Sequence, residues 1–322
     1  MVARAPVHGR GALQGMLRPE EVNDFQRARI VSAMVDVVAE VGYVNAAVAP
    51  VVARAGVSRR TFYELFNGRE DCFLAAFEWG VEQVRTLVVD VYSSQRLWRD
   101  KMRHALAALL LLFDAQPQLA RMCIVEAMGA GQVVLGRRNE VMAELIAVLE
   151  AQAPKPRSVP GGPLLAAEAI VGGAFSVIHA RLIDRASAPL IGLHGQLMGL
   201  IALPYLGPRA AGEETGRPVP DLPKQALVRV RGEDGRLLGR LDMRLTYRTV
   251  RCLLFIGEYP GVSNREVAEG AEISDEGQAS KLLGRLAKLD LVANSRPPGP
   301  GLPNRWTLTP RGEQLLSSVH SR

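Results

Sequence analysis

Ser58, Arg59, Arg60, Thr61 and Tyr63 bring hydroxyls and two guanidinium forks into six consecutive positions, directly after Gly56-Val57. That chemistry suits nucleic acid. An arginine fork donates two parallel hydrogen bonds to a guanine edge or a phosphate, and hydroxyls reach either. It works best when the side chains crowd the N-terminal end of an exposed helix, the part that enters a major groove. Two adjacent arginines alone are as readily a solvated face, so the reading depends on what positions them.

The positioning elements are legible. Gly56 separates two apolar-periodic segments, where a residue free to take positive φ ends one helix and turns the chain. Ser58 then offers an N-cap hydroxyl, and Val57 and Phe62 have the spacing of a hydrophobic staple. In the second helix Phe62, Leu65 and Phe66 turn to the core, which leaves Arg59, Arg60, Thr61 and Tyr63 outside. Behind it, Phe25 to Val41 carries the helical stripe Ile30, Val31, Met34, Val37 and Val38. Asn67-Gly68-Arg69-Glu70-Asp71 breaks and restarts the helix, with Arg69 beside a helix N-terminus where a phosphate could dock.

On Gly42-Tyr43, the Ala55-Gly56-Val57-Ser58 turn, Thr61-Phe62-Tyr63, Phe66 and Arg69, the sequence resembles the TetR family of bacterial transcriptional regulators. The resemblance implies a three-helix DNA-binding head followed by a helical ligand-binding and dimerisation body. Two departures stand out. Ala46 and Ala47 occupy positions where the family often has hydroxyls, so one phosphate contact is expected to be lost. Pro50 is tolerable only in a first turn, so that helix should begin near Ala47 or Val48.

From about Asp71 to Gly207 the pattern is helical: Cys72 to Tyr92, Trp98 to Gln116, Pro117 to Met128, Gln132 to Glu150, Pro163 to Arg185 and Pro189 to Tyr205. The last two are apolar over more than one face, with small residues Gly172, Gly173 and Ala174 that permit close approach. By resemblance they should pair with their copies in a four-helix homodimer interface; a purely internal core is the other reading. The remaining helices resemble the family's ligand chamber, with Trp79, Trp98, Phe113, Met122, Cys123, Phe175 and His179 as candidate lining. Residues of these types are also ordinary packing. Few charges on these faces favour a lipophilic small-molecule effector.

Gly207 to Lys224 is rich in Pro, Gly and Glu and reads as a linker. Ala226 to Arg231 and Leu237 to Met243 flank Gly232-Glu233-Asp234-Gly235, a hairpin signature. Helix signals follow at Thr249 to Tyr259, at the capping box Ser263-Asn264-Arg265-Glu266 with Val262 and Val267 as its staple, and from Ser274 to about Leu289. Strand-like Leu291 to Arg296 and Asn304 to Leu308 then enclose a Pro-Gly loop, before Thr309-Pro310 opens a last helix. This order reads as a winged helix-turn-helix. It resembles MarR-type winged domains in Ser280-Lys281-Leu282-Leu283, Arg285-Leu286 and Leu308-Thr309-Pro310-Arg311-Gly312. Gln278, Ser280, Lys281, Arg285, Arg296 and Arg305 are its candidate DNA contacts. Asp275 and Glu276 repel phosphate there, so a protein-binding role stays open.

The expected fold is therefore mainly α: a basic arm over 1–20, a head over 21–70, a helical bundle over 71–207, a linker over 208–225, and a hairpin plus winged domain over 226–322. A net charge of +6 fits a polyanionic partner without requiring one. Cys72, Cys123 and Cys252 sit in apolar patterns as reduced core thiols, and with five scattered histidines they form no ligand spacing, so neither metal nor cofactor is expected. The longest apolar run, Ala105 to Phe113, is far below the roughly 20 residues of a membrane span, and no h-region marks the N-terminus. No Gly-x-Ser-x-Gly, His-Glu-x-x-His or phosphate loop occurs, which argues against an enzyme. The expectation is a cytoplasmic, ligand-responsive dimeric repressor of bacterial type binding double-stranded DNA. A helical scaffold acting through protein contacts is the alternative.

Overall fold

A computed structural model describes residues 19–151, 153–154, 166–184, 188–223, 226, 247–273, 275–295 and 303–320. The chain divides into two compact units, one formed by Met1–Ala33, Val51–Leu65 and Asp234–Arg322, the other by Met34–Pro50 and Phe66–Glu233.

The first helices are α1 (Pro19–Val41), α2 (Val48–Ala55) and α3 (Arg59–Leu65). The predicted stripe of α1 is buried throughout, from Ile30 and Val31 to Met34, Val37 and Val38. Gly42, at φ 75°, ends α1 and donates its N–H to the Val38 carbonyl at 2.8 Å, a left-handed cap that a β-carbon would strain. Pro50 falls in the first turn of α2, where its missing N–H has no intrahelical acceptor to lose.

The bundle comprises α4 (Arg69–Ser93), α5 (Trp98–Ala115), α6 (Pro117–Ile124), α7 (Gln132–Ala151), α8 (Ala166–Ile183), α9 (His194–Leu206) and α10 (Pro208–Gly216), with 3-10 turns at Glu126–Gly129 and Leu190–Leu193. The Asp114 carboxylate caps the second turn by accepting from the N–H groups of Leu190 and Ile191 at 2.7 and 2.9 Å, placing negative charge at the positive end of the turn. Helix α8 is long and apolar enough by composition to cross a membrane, with mean hydropathy 1.4 over 18 residues. Here Ala167, Ile170, Val171 and Ile178 pack it into two apolar clusters of the bundle.

Helix α10 departs from the sequence expectation, which treats its residues as linker. Gly207, at φ 88°, turns the chain after α9, and Pro208 opens the new helix. The helix then lies against the glycines of α9: a β-carbon at Gly195 would stand 2.5 Å from the Thr215 carbonyl oxygen, and one at Gly199 2.6 Å from Thr215 Oγ1. Charge completes the docking. Glu214, fully buried, accepts from Arg99 and from the buried Arg103, which also donates to the Pro218 carbonyl. His194 Nε2 meets the Arg103 carbonyl at 2.9 Å, and burial holds this imidazole below its ordinary pKa.

In the C-terminal region α11 (Tyr247–Glu258), α12 (Asn264–Gly270) and α13 (Glu276–Lys288) are followed by β1 (Val292–Asn294), β2 (Trp306–Leu308) and α14 (Pro310–His320). The strands pair antiparallel with Val292 opposite Leu308 and Asn294 opposite Trp306, and Val262 bridges to Trp306. The predicted capping box forms: Ser263 Oγ accepts from the Glu266 N–H, and Glu266 accepts from the Ser263 N–H at 2.7 Å. The cap of α13 is Asp275, whose carboxylate accepts from the Gly277 N–H at 2.9 Å, in place of the expected Ser274. Leu253, Ile256, Val267, Leu283, Leu286 and Leu291 build a core of their own, against which Ala28 of α1 also packs. Of the expected basic arm over 1–20 and the expected hairpin over 226–243, residues 1–18 and 227–243 lie outside the described residues, and Pro19 and Glu20 already belong to α1.

Candidate functional site

The α2–α3 turn has the anticipated chemistry. Gly56 adopts φ 63°, and the Val57 N–H reaches back to the Val52 carbonyl at 3.1 Å. Ser58 Oγ accepts from the Thr61 N–H at 3.0 Å and shares a hydrogen with Thr61 Oγ1 at 2.9 Å. Val57 and Phe62 are both buried, completing the staple. Phe62 is fully buried while its neighbour Tyr63 is 61% exposed. Ser58, Arg59 and Arg60 are likewise exposed, with Thr61 partly so. Arg60 Nε pairs with Glu64 at 2.8 Å, and that hydrogen bond raises the guanidinium pKa. With both side chains largely in solvent the pair holds the arginine weakly, so a phosphate can displace the carboxylate. Arg27 Nη1 donates to the Leu65 carbonyl at 3.2 Å, tying the C-terminal end of α3 to α1.

Residues 30–76 match the family model of the bacterial regulatory proteins of the tetR family. Among solved structures the chain is similar to the fatty acid degradation regulator FadR from Bacillus halodurans, at 23% identity and TM-score 0.46 over 54% of this chain and 96% of that one. It is similar to full-length tylp, a tetR regulator from Streptomyces fradiae, at 20% identity and TM-score 0.45 over 71% and 96%. It is also similar to FadR from Bacillus subtilis in complex with stearoyl-CoA, at 19% identity and TM-score 0.43 over 54% and 97%. No curated protein matches.

Arg69 is placed differently from the other candidates in the matched segment. Its guanidinium lies 4.5 Å over the Tyr43 ring and donates to the carbonyls of Val44 at 3.0 Å and Tyr43 at 3.4 Å. Tyr43 in turn packs edge-on to Phe73, and its N–H donates to Glu126 at 2.9 Å. Arg69 thus braces the loop between α1 and α2, a task its sequence position did not disclose.

Within the bundle lies a cavity of about 440 Å³, in the size range of small-molecule sites. Three predicted lining residues, Phe113, Cys123 and Phe175, border it. Trp79, Trp98, Met122 and His179 do not. Trp98 packs its ring on Tyr205 at 5.2 Å. Met122 is fully buried beneath Gly80, where a β-carbon would lie 3.3 Å from Met122 Cε. Trp79 and His179 are half-buried. Helical stripes supply much of the remaining wall: Phe77, Val81, Val84 and Val88 from α4, Met102, Leu106 and Leu109 from α5, and Val141, Met142, Leu145 and Leu149 from α7, with Ile170 and Val171 of α8. Burial pushes the Cys123 thiol, and likewise that of Cys252, up to about 12, so neither is poised as a thiolate.

Sequence reasoning missed the charged edge of this cavity, formed by Arg85, Arg138 and Glu144. Arg137 donates to Glu78 at 2.6 Å and to Glu144 at 3.0 Å, and Arg85 donates to Glu144 at 2.7 Å. The hydrogen bond from Arg137 holds the Glu144 carboxyl below the usual carboxylate range. The available signal was Arg138 itself, at the head of the apolar stripe Val141, Leu145 and Leu149.

The C-terminal candidates Gln278, Ser280, Lys281 and Arg285 are all exposed on α13, opposite buried Ala279, Leu283 and Leu286. Arg248 Nη1 donates to Gln278 at 3.5 Å. Arg305 is exposed before β2, held through its N–H to Asn294 at 3.0 Å, and Arg296 lies outside the described residues. Among the described residues no cluster of His, Cys, Asp and Glu could hold a metal ion.

Proposed function

We propose that the protein is a ligand-responsive, dimeric transcriptional regulator of tetR type, a repressor whose head binds double-stranded operator DNA in the bacterial cytoplasm and is tuned by a small apolar effector in the bundle. The observation that carries this is the capped α3, which exposes Arg59, Arg60 and Tyr63 above buried Phe62 within the segment matching the family. The effector role is supported by the apolar cavity. Dimerisation is supported by Val177 and Ile183 on α8 and Leu200 and Leu203 on α9, all exposed large apolar residues. A β-carbon at Gly173 would meet Leu200 at 3.7 Å, so these two helices can share one continuous face.

We propose that the C-terminal region, whose helices α11 to α13 are followed by the paired strands β1 and β2, is a winged helix-turn-helix and a second DNA contact through Gln278, Ser280, Lys281, Arg285, Arg296 and Arg305. A second reading, binding of a protein partner, is favoured by one observation: Asp275 and Glu276 occupy the exposed start of α13. Genomic footprinting with the full chain, with and without candidate effectors, tests the whole reading. A protected, near-palindromic site that opens with effector is expected. Absence of any protected site would overturn the regulator assignment in favour of a scaffold.

A further inference from the structure

The ion pairs at the cavity edge leave one cation out. Arg137 is engaged by Glu78, Glu140 and Glu144, and Arg85 by Glu82 and Glu144. Arg138, the next residue of α7, borders the cavity, and its Nε is buried with no acceptor among the described residues. An unsatisfied buried donor on a charged group is costly. The neighbours that line the space with it are mostly apolar; the exceptions are Tyr92, Cys123, and Arg85 and Glu144, which hold each other. The cavity is therefore a largely apolar volume bordered by one guanidinium whose buried Nε has no acceptor among the described residues.

We propose that this cavity takes an elongated apolar molecule bearing one carboxylate, a fatty carboxylate, with the anion on Arg138 and the chain among the stripes of α4, α5 and α7. The inference rests on the reading of the bundle as an effector chamber and adds the chemical class of the effector. A guanidinium fork matches a carboxylate bidentately, whereas a hydroxyl of the same chain length offers one neutral acceptor. The alkyl body fills the space between the apolar stripes of α4, α5 and α7.

The test titrates the full-length protein by calorimetry with saturated acids from octanoate to hexadecanoate, and with the primary alcohol of each length. Binding of at least one acid is expected, about tenfold or more tighter than its alcohol, the margin of a charge-assisted hydrogen bond. Arg138→Leu should erase that preference while leaving the alcohol bound, and Arg138→Lys should keep part of it. If Arg138→Leu does not fold, Arg138→Gln with a circular-dichroism check serves the same comparison. Equal affinity of acid and alcohol for the wild type, or an acid preference that survives removal of the guanidinium, overturns the proposal. If alcohols bind and release the protein from DNA without any acid preference, the effector chamber stands and only the fatty carboxylate falls. If neither series binds, the proposal falls and the chamber reading loses its support as well.

Discussion

Helices α3 and α13 are built alike but carry opposite charge in their first turns. Each is short, follows a tight turn, is capped by its own side chain and buries one apolar face while presenting a polar one. Helix α3 is capped by the neutral Ser58 and opens on Arg59 and Arg60, whereas α13 is capped by the Asp275 carboxylate and opens on Glu276, with Lys281, Arg285 and Lys288 only further along. An acidic first turn stabilises the isolated helix through its dipole, and it repels the phosphates that a groove-entering N-terminus must approach. The first turn of α3 is thus compatible with a polyanion, whereas that of α13 stabilises its own helix and leaves the cations along one flank. A helix-turn-helix shape is therefore not sufficient; the charge at the first turn separates the two readings.

A substitution away from both helices gives the scale. Glu214→Ala leaves Arg103 buried without its carboxylate and should destabilise the protein by about 3–5 kcal/mol in denaturant unfolding. DNA affinity of the molecules still folded should be unchanged. Burial pushes the Glu214 carboxyl up, but hydrogen bonds from Arg103 and Arg99 outweigh it and hold its pKa below the usual range. This stabilisation is therefore full above about pH 4.3 and is lost as pH falls through the folded-state value. His194, whose pKa is also lowered, acts in the same direction from about pH 6.5 downward. His194→Gln should flatten the upper part of that acid limb.

The effect of Arg59→Ala falls on DNA recognition. It should cost about 1–3 kcal/mol of discrimination between operator and unrelated duplex, measured by fluorescence anisotropy, whereas Tyr63→Ala should weaken both duplexes alike. The caps should diverge. Ser58→Ala and Asp275→Ala each remove about 1 kcal/mol of helix stabilisation, but Ser58→Ala should weaken DNA binding and Asp275→Ala should strengthen it. The smallest effect is expected from Lys281→Ala with Arg285→Ala, a salt slope shallower by about 0.9 for each lost phosphate contact. An unchanged slope would assign α13 to a protein partner.

Much of this arrangement is legible in the sequence because it is local. The turn at Gly56, the Ser58 cap, the Val57–Phe62 staple and the Ser263–Glu266 capping box each depend on residues within a few positions. What escaped depends on distant partners. Arg69 reads as a phosphate contact until the loop carbonyls of Tyr43 and Val44 come within reach. Residues 208–216 have linker composition, and only the space above Gly195 and Gly199 and the two arginines of α5 make them a docked helix. Trp98 and Met122 have the residue types of a ligand wall but fill packing contacts, and helical periodicity cannot tell a wall facing a cavity from one facing a neighbour.

The proposed function depends on the N-terminal end of α3 reading DNA. Its most direct test is anisotropy titration of the full-length protein and of Arg59→Ala on a selected operator and an unrelated duplex, across a range of salt. The expected result is tight operator binding that falls steeply with salt, with the operator preference reduced in Arg59→Ala and the salt slope largely kept. Binding to neither duplex at low salt, or the same operator preference in Arg59→Ala as in the wild type, would contradict it.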